Sequence, residues 1–159
     1  MPGKVVAIFI AGGEGRPMRG VINVSAITGL GLDGDRYATG CGAFQKPGAK
    51  EKIRHVTLIE DEAIRAANTE LNQSFDWAET RRNIVVRDFP LNGLIGKRIM
   101  IGNSVIARVH ELCDPCQRPG KLAGKSGFEQ AFANRGGVRG EILTGGVIGL
   151  GYSVVGLED

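Results

Sequence analysis

Twenty-five glycines in 159 residues constrain this chain more than any other feature. They have no collagen-like period. They fall between short apolar runs rich in β-branched residues, so they read as tight turns, bulges and close backbone approaches. Val5 to Ile10 is the first such run, and its length suits a buried strand better than a helix. Further strands are expected over Val21 to Thr28, Ile53 to Ile59, Arg82 to Arg87, Arg98 to Ile101, Ser104 to Glu111, Val138 to Leu143 and Tyr152 to Leu157. Gly102-Asn103 suggests a two-residue hairpin loop, and Gly145-Gly146 and Gly149 are expected to join the last two strands.

Helices are few. Asp61 is placed to cap a helix over Glu62 to Leu71, with Ile64, Ala67 and Leu71 on one face. A short turn of helix is expected over Asp76 to Glu79, and another helix over Phe128 to Asn134, ended by Gly136-Gly137. Pro119-Gly120 argues against a long helix directly after Cys116. The stretch from Gly29 to about Lys52 has no hydrophobic period and reads as a long loop. The pattern predicts a mainly β chain, an antiparallel barrel or sandwich with two or three short helices.

A length of 159 residues fits one domain over 1–159. A formal net charge of +3 is too small for the dense basic stripe of a nucleic-acid binder, but it leaves room for a local anion pocket. No run approaches a membrane span. The cysteines number three, and the start of the chain has too short an apolar run for a secretory signal, so the expected setting is cytoplasmic.

Cys113-Asp114-Pro115-Cys116 is the sharpest local motif, and it admits four readings. A thioredoxin-like redox pair would need the first cysteine at a helix N-terminus. A zinc site would need two ligands beyond Cys113 and Cys116, from among Cys41, His55 and His110. Two buried cysteines would act as small apolar side chains. The fourth reading is one reactive thiolate on a loop, serving as a sulfur carrier or a soft ligand to a transition metal.

Arg81-Arg82-Asn83 can hold phosphate oxygens, although adjacent residues on a strand face opposite ways, so one arginine at most should face a given pocket. Gly31 to Arg36 suggests either a turn or an anion nest followed by the charged pair Asp35-Arg36. His55 and His110 read better as structural residues than as ligands, although His110 lies close enough in sequence to tune Cys113.

Taken in order, these segments resemble the MOSC family, the C-terminal domain of molybdenum cofactor sulfurases. The resemblance is carried by Val5 to Ala11, Gly29 to Arg36, His55 to Ala63, Arg81 to Val86, Leu94-Ile95-Gly96, Cys113 to Cys116, Gly137 to Leu143 and Gly146-Val147-Ile148. It implies a closed β-barrel like the barrel domain of pyruvate kinase. It also implies binding of the molybdenum cofactor, molybdopterin. Cys116 would carry sulfur as a persulfide or ligate molybdenum. Arg81 and Asn83, with Arg82 between them, would hold the pterin and its phosphate, and Asp35-Arg36 would lie beside them.

A stand-alone member of this kind could reduce N-hydroxylated small molecules with an external redox partner. It could instead be a non-catalytic module receiving sulfur from a separate cysteine desulfurase, and a structural zinc protein is a third possibility. Pyridoxal phosphate is expected only on such a separate partner, because 159 residues leave no room for the aminotransferase-like domain of the fused sulfurases. Two departures stand out: Arg82 where amidoxime-reducing relatives tend to have proline, and Tyr152 after Gly151 where an aspartate is usual.

Overall fold

The computed structural model describes residues 2–43, 45, 47 and 52–158. Seven strands close into a barrel: β1 (Gly3–Ile10), β5 (Val56–Glu60), β6 (Ile84–Arg87), β7 (Arg98–Ile101), β8 (Val105–Leu112), β9 (Val138–Thr144) and β11 (Ser153–Leu157). Their order around the barrel is β1-β6-β5-β9-β8-β7-β11, and β11 returns to β1 through Gly3 opposite Val154. Closure leaves no open edge among these strands. The barrel is mixed. β5 and β6 run parallel, and every other neighbouring pair is antiparallel. The parallel pair needs a crossover, and α1 (Asp61–Glu70) supplies it.

Two cores result from the two faces of the same strands. Ile84 and Val86 point into the barrel, while Val85 points outward beneath the helices. This is why β6 reads as an unbroken apolar run. In β1 the alternation breaks at a bulge between Val5 and Ala7. The extra residue resets the parity, so Val5, Ile8 and Ile10 all face the barrel interior while Ala7 faces the outer core. The outer core centres on Phe75, Phe128 and Phe132, whose rings meet at centroid distances of 4.6–5.9 Å.

A small three-stranded sheet lies beside the barrel: β10 (Gly146–Gly149), β3 (Asn23–Ile27) and β4 (Gly31–Leu32), paired in that order. A two-residue strand β2 (Arg19–Gly20) pairs with the end of β1.

Several expectations need correction. Asp61 is the first residue of α1 and not its cap. Its buried carboxylate accepts from Trp77 Nε1 at 2.8 Å and from Arg87 Nη2 at 3.0 Å. Leu71 ends that helix 43 % exposed, so Ile64 and Ala67 alone of the expected face are buried. The β7–β8 loop holds three residues, Gly102-Asn103-Ser104, because Ile101 pairs with Val105. The expected connection after β9 is itself strand β10, and part of the expected Gly29–Lys52 loop is strand β4. The strand expected from Ile53 begins only at Val56, and the helix expected over Phe128 to Asn134, α3, covers only Phe128–Ala131. Phe44, Lys46 and 48–51 of the long loop lie outside the described residues. No helix among the described residues is long and apolar enough to cross a membrane.

Candidate functional site

At one end of the barrel the chain leaves β8 at Leu112 and enters the cysteine segment. Cys113 is tied down at once: its N–H donates to Gly137 O at 2.8 Å, and it is 5 % exposed. The two glycines at the start of β9 make room for this. A Cβ on Gly136 would sit 2.6 Å from Cys113 O, and one on Gly137 would collide with Leu58 O. The segment then runs outward through Asp114 and Pro115 to Cys116, which is exposed. The six-residue helix α2 (Arg118–Ala123) follows immediately, with Pro119 in its first turn, where a missing N–H costs nothing. A short helix follows Cys116, and the motif separates one buried thiol from one exposed thiol.

Facing this segment is Arg81. It closes a single 3₁₀ turn over Ala78–Thr80 in a left-handed conformation, φ 63°. Its guanidinium donates to Arg16 O at 2.8 Å, and the residue is 8 % exposed. Burial, reinforced by the fields of Arg36 and Arg118, lowers its pKa to about 10. Arg36 is also buried. It donates to Asp35 Oδ1 at 3.1 Å and to Arg81 O at 3.4 Å, and its guanidinium lies 4.8 Å from the Tyr37 ring centre. Arg82 reaches across to Gly136, its Nε donating to the carbonyl at 2.7 Å.

These side chains enclose a cavity of about 250 Å³. Its wall includes Cys113 and Cys116 and seven basic residues: Arg36, Lys52, Arg54, Arg81, Arg82, Arg118 and Arg139. Asp114 is the acidic residue of the wall. Such a surplus of cations in a partly dry hollow favours anions.

Both Arg81 and Arg82 line the hollow, against the expectation that one at most would. The alternation rule does not reach them, because β6 begins only at Ile84 and Arg81 lies in a left-handed turn. Asn83 does not line it. Its Oδ1 accepts from Thr57 N at 3.0 Å and from Thr57 Oγ1 at 3.1 Å, and its Nδ2 donates to Phe9 O at 3.1 Å. The amide is spent on joining β6 to the strands on either side.

Asp35 is likewise behind the wall and fully buried, accepting from Ala11 N at 3.1 Å and from Arg36. Lys52, Arg54, Arg118 and Arg139 were not singled out by the sequence. Arg118 stands two residues after Cys116, and Arg139 sits in the glycine-flanked start of β9. Nothing local marks Lys52 or Arg54 beyond their charge.

The histidines are structural. His55 Nδ1 accepts from Ile142 N at 3.0 Å, and burial lowers its pKa. His110 pairs with Glu141 at 2.9 Å across to β9 and does not line the cavity. Cys41 is exposed outside the wall. Among the described residues no group of three His, Cys, Asp or Glu side chains could hold a metal ion, so the zinc reading lacks its further ligands.

A family model for the MOSC domain matches residues 47–155, more than half of the chain. The chain belongs to the MOSC family. Solved structures of the same fold include the YuaD protein from Bacillus subtilis, with a TM-score of 0.82 at 18 % identity over 97 % of this chain and 94 % of that one. YiiM from Geobacillus stearothermophilus superposes with a TM-score of 0.70 at 15 % identity, covering 99 % of this chain and 76 % of that one. YiiM from Escherichia coli gives 0.66 at 16 % identity over 98 % and 70 %. No curated protein sequence matches at comparable significance. At these identities the structural likeness speaks for the MOSC barrel alone.

Proposed function

We propose that this MOSC protein binds the molybdenum cofactor in the cationic hollow, with the Cys116 thiolate as the sulfur that meets molybdenum. The observation that carries the reading is that an exposed cysteine shares one cavity with six guanidinium groups, of which Arg36 and Arg81 are buried. The donor set fits the group. Arg36 and Arg81 would hold its phosphate by charge-assisted hydrogen bonds, with Arg82 beside them on the wall facing the pterin, and a thiolate is the soft ligand that molybdenum favours.

When bound, the molybdenum centre supplies two-electron redox chemistry, which suits reduction of N-hydroxylated compounds by an external electron donor. The chain's own work is to orient and to shield. Asp35 holds Arg36 in place, Asn83 locks the strand end behind Arg81, and Pro119 and Tyr37 supply apolar wall. The free cysteines fit a reducing, cytoplasmic setting.

Exposure of Cys116 also favours a second reading, in which the chain delivers sulfur. A separate desulfurase, itself the carrier of pyridoxal phosphate, would then load Cys116 as a persulfide. Metal and mass analysis after co-expression with cofactor biosynthesis separates the two. Near-stoichiometric molybdenum that disappears in Cys116→Ser supports the first. A trapped persulfide on Cys116 without molybdenum supports the second, and neither species on the purified chain refutes both.

A further inference from the structure

The cations of the hollow are not one cluster. Arg36, Arg81 and Arg118 form one group. Arg36 donates to the Arg81 carbonyl at 3.4 Å, and Arg118 stands 3.6 Å from Glu14. Lys52, Arg54 and Arg139 form the other, at the end of the wall near Glu111. Glu111 Oε1 lies 3.3 Å from Lys52 and 3.5 Å from Arg139. The register explains this placement, because Arg139 of β9 stands opposite both Thr57 of β5 and Glu111 of β8.

The two groups sense different neighbours. After burial, the fields of Arg36 and Arg118 act most on Arg81, while the field of Arg139 acts most on Arg54. Tyr37 is common to both surroundings. Each group also borders a further hollow, Lys52 and Arg54 together with Tyr37 on one side and Arg81 with Pro119 on the other.

We propose that the hollow contains two separate anion seats, and that the outer one, built from Lys52, Arg54 and Arg139, receives an oxyanion carried by the exchanging small-molecule substrate. The substrate class is therefore a small molecule bearing a carboxylate or phosphate. This assignment rests on the cofactor reading, in which the cofactor's single phosphate occupies the inner seat around Arg36 and Arg81. One phosphate cannot fill both. At the inner seat Arg36 and Arg81 are buried and only Arg118 is partly exposed, whereas the outer seat has two partly exposed side chains, Lys52 and Glu111, at its rim, where a ligand can come and go. Arg139 gives it a preformed donor, because the buried Nη1 has no acceptor among the described residues for an oxyanion to displace.

The test is an NMR titration of the arginine Nε–H signals with inorganic phosphate, on the full chain purified with and without cofactor biosynthesis. The unloaded chain is expected to show two independent saturations, one on Arg36, Arg81 and Arg118 and one on Arg54 and Arg139. The molybdenum-loaded chain keeps only the second. Arg139→Gln weakens the outer saturation by about tenfold or more and leaves the inner one and the molybdenum content unchanged. Glu111→Gln, a surface change that spares the fold, strengthens the outer saturation severalfold because it releases Lys52 and Arg139.

A single saturation shared by all five arginines overturns the proposal, and so does indifference to Glu111→Gln. A fall in molybdenum content with Arg139→Gln also overturns it, by giving the outer seat to the cofactor. Failure of the wild-type chain to take up any molybdenum sinks the cofactor reading instead. The two-saturation count on the unloaded chain then still decides whether the seats are separate.

Discussion

Asn83→Ala separates a binding role from a structural one. In the wild type the Asn83 amide satisfies two backbone groups on different strands. It accepts the Thr57 N–H at 3.0 Å and donates to the Phe9 carbonyl at 3.1 Å, and it accepts from the Thr57 hydroxyl as well. Asn83 is 3 % exposed, so water cannot replace its side chain without repacking. Truncation leaves the Thr57 N–H and the Phe9 carbonyl without these partners, and each such loss costs about 1–3 kcal/mol. The Thr57 hydroxyl can turn to other partners and adds little.

Allowing for partial relaxation, the loss should be about 2–4 kcal/mol. With a urea slope of about 2 kcal/mol per molar, the unfolding midpoint falls by about 1–2 M. Trp77 is the sole tryptophan of the chain and donates to Asp61 at 2.8 Å, so its fluorescence reports unfolding. The second measurement is phosphate affinity of the folded variant, which should stay within about twofold, since the amide does not line the cavity. A midpoint shift below about 0.3 M together with a large loss of phosphate binding would refute the reasoning and return Asn83 to the ligand.

Two further perturbations test the charges behind the wall. Asp35→Ala removes the carboxylate that holds Arg36 and leaves a buried guanidinium uncompensated, so a loss of about 3–5 kcal/mol is expected in urea melts. A loss under about 1 kcal/mol would mean that Arg36 finds another partner. His55 has a lowered pKa, chiefly through burial, and its Nδ1 must stay unprotonated to accept from Ile142. Its contribution is therefore full above the ordinary histidine pKa and is lost as pH falls through the lowered folded value. Urea midpoints measured from pH 7.5 downward should decline in the wild type across that window, and His55→Gln should flatten the decline. An unchanged slope would remove His55 from the account.

Much of the barrel was legible because its strands are short β-branched runs between glycines, and a pattern of period two is local. What escaped was non-local. The parallel pairing of β5 with β6 follows from α1 packing back over the barrel, and no pattern within either strand encodes it. β10 (Gly146–Gly149) is half glycine and lacks the composition of a strand. It exists because Ala26 to Asn23 supply a ladder across more than a hundred residues of chain.

The same limit applied at the site. The spacing Cys113-x-x-Cys116 could not say which thiol was accessible. That depends on Gly136 and Gly137, which stand just before β9 and hold the Cys113 backbone against the barrel. Asn83 looked like a ligand-binding amide beside two arginines, yet its partners are 26 and 74 positions away.

The backbone offers an independent reason to place function at the cysteine end of the barrel. Among the described residues, four that are not glycine have positive φ: Asn72, Arg81, Asp88 and Asn134. Three of these are the short polar types that tolerate the left-handed region by bonding locally. Arg81 has no such excuse, and the conformation costs it about 1–2 kcal/mol. It also carries a charge held in a largely desolvated position beside two other cations, which its lowered pKa records.

Arg139 Nη1, a buried donor with no acceptor among the described residues, lies in the same wall. Backbone strain, crowded like charges and an unmet donor each oppose folding, and nothing in the packing requires them at one place. A chain selected for stability alone would shed them singly. Their convergence on the cavity of Cys116 is what a hollow held ready for anions requires, because negative charge arriving at the inner seat relieves the crowding around Arg81 and an oxyanion at the outer seat meets the Arg139 donor.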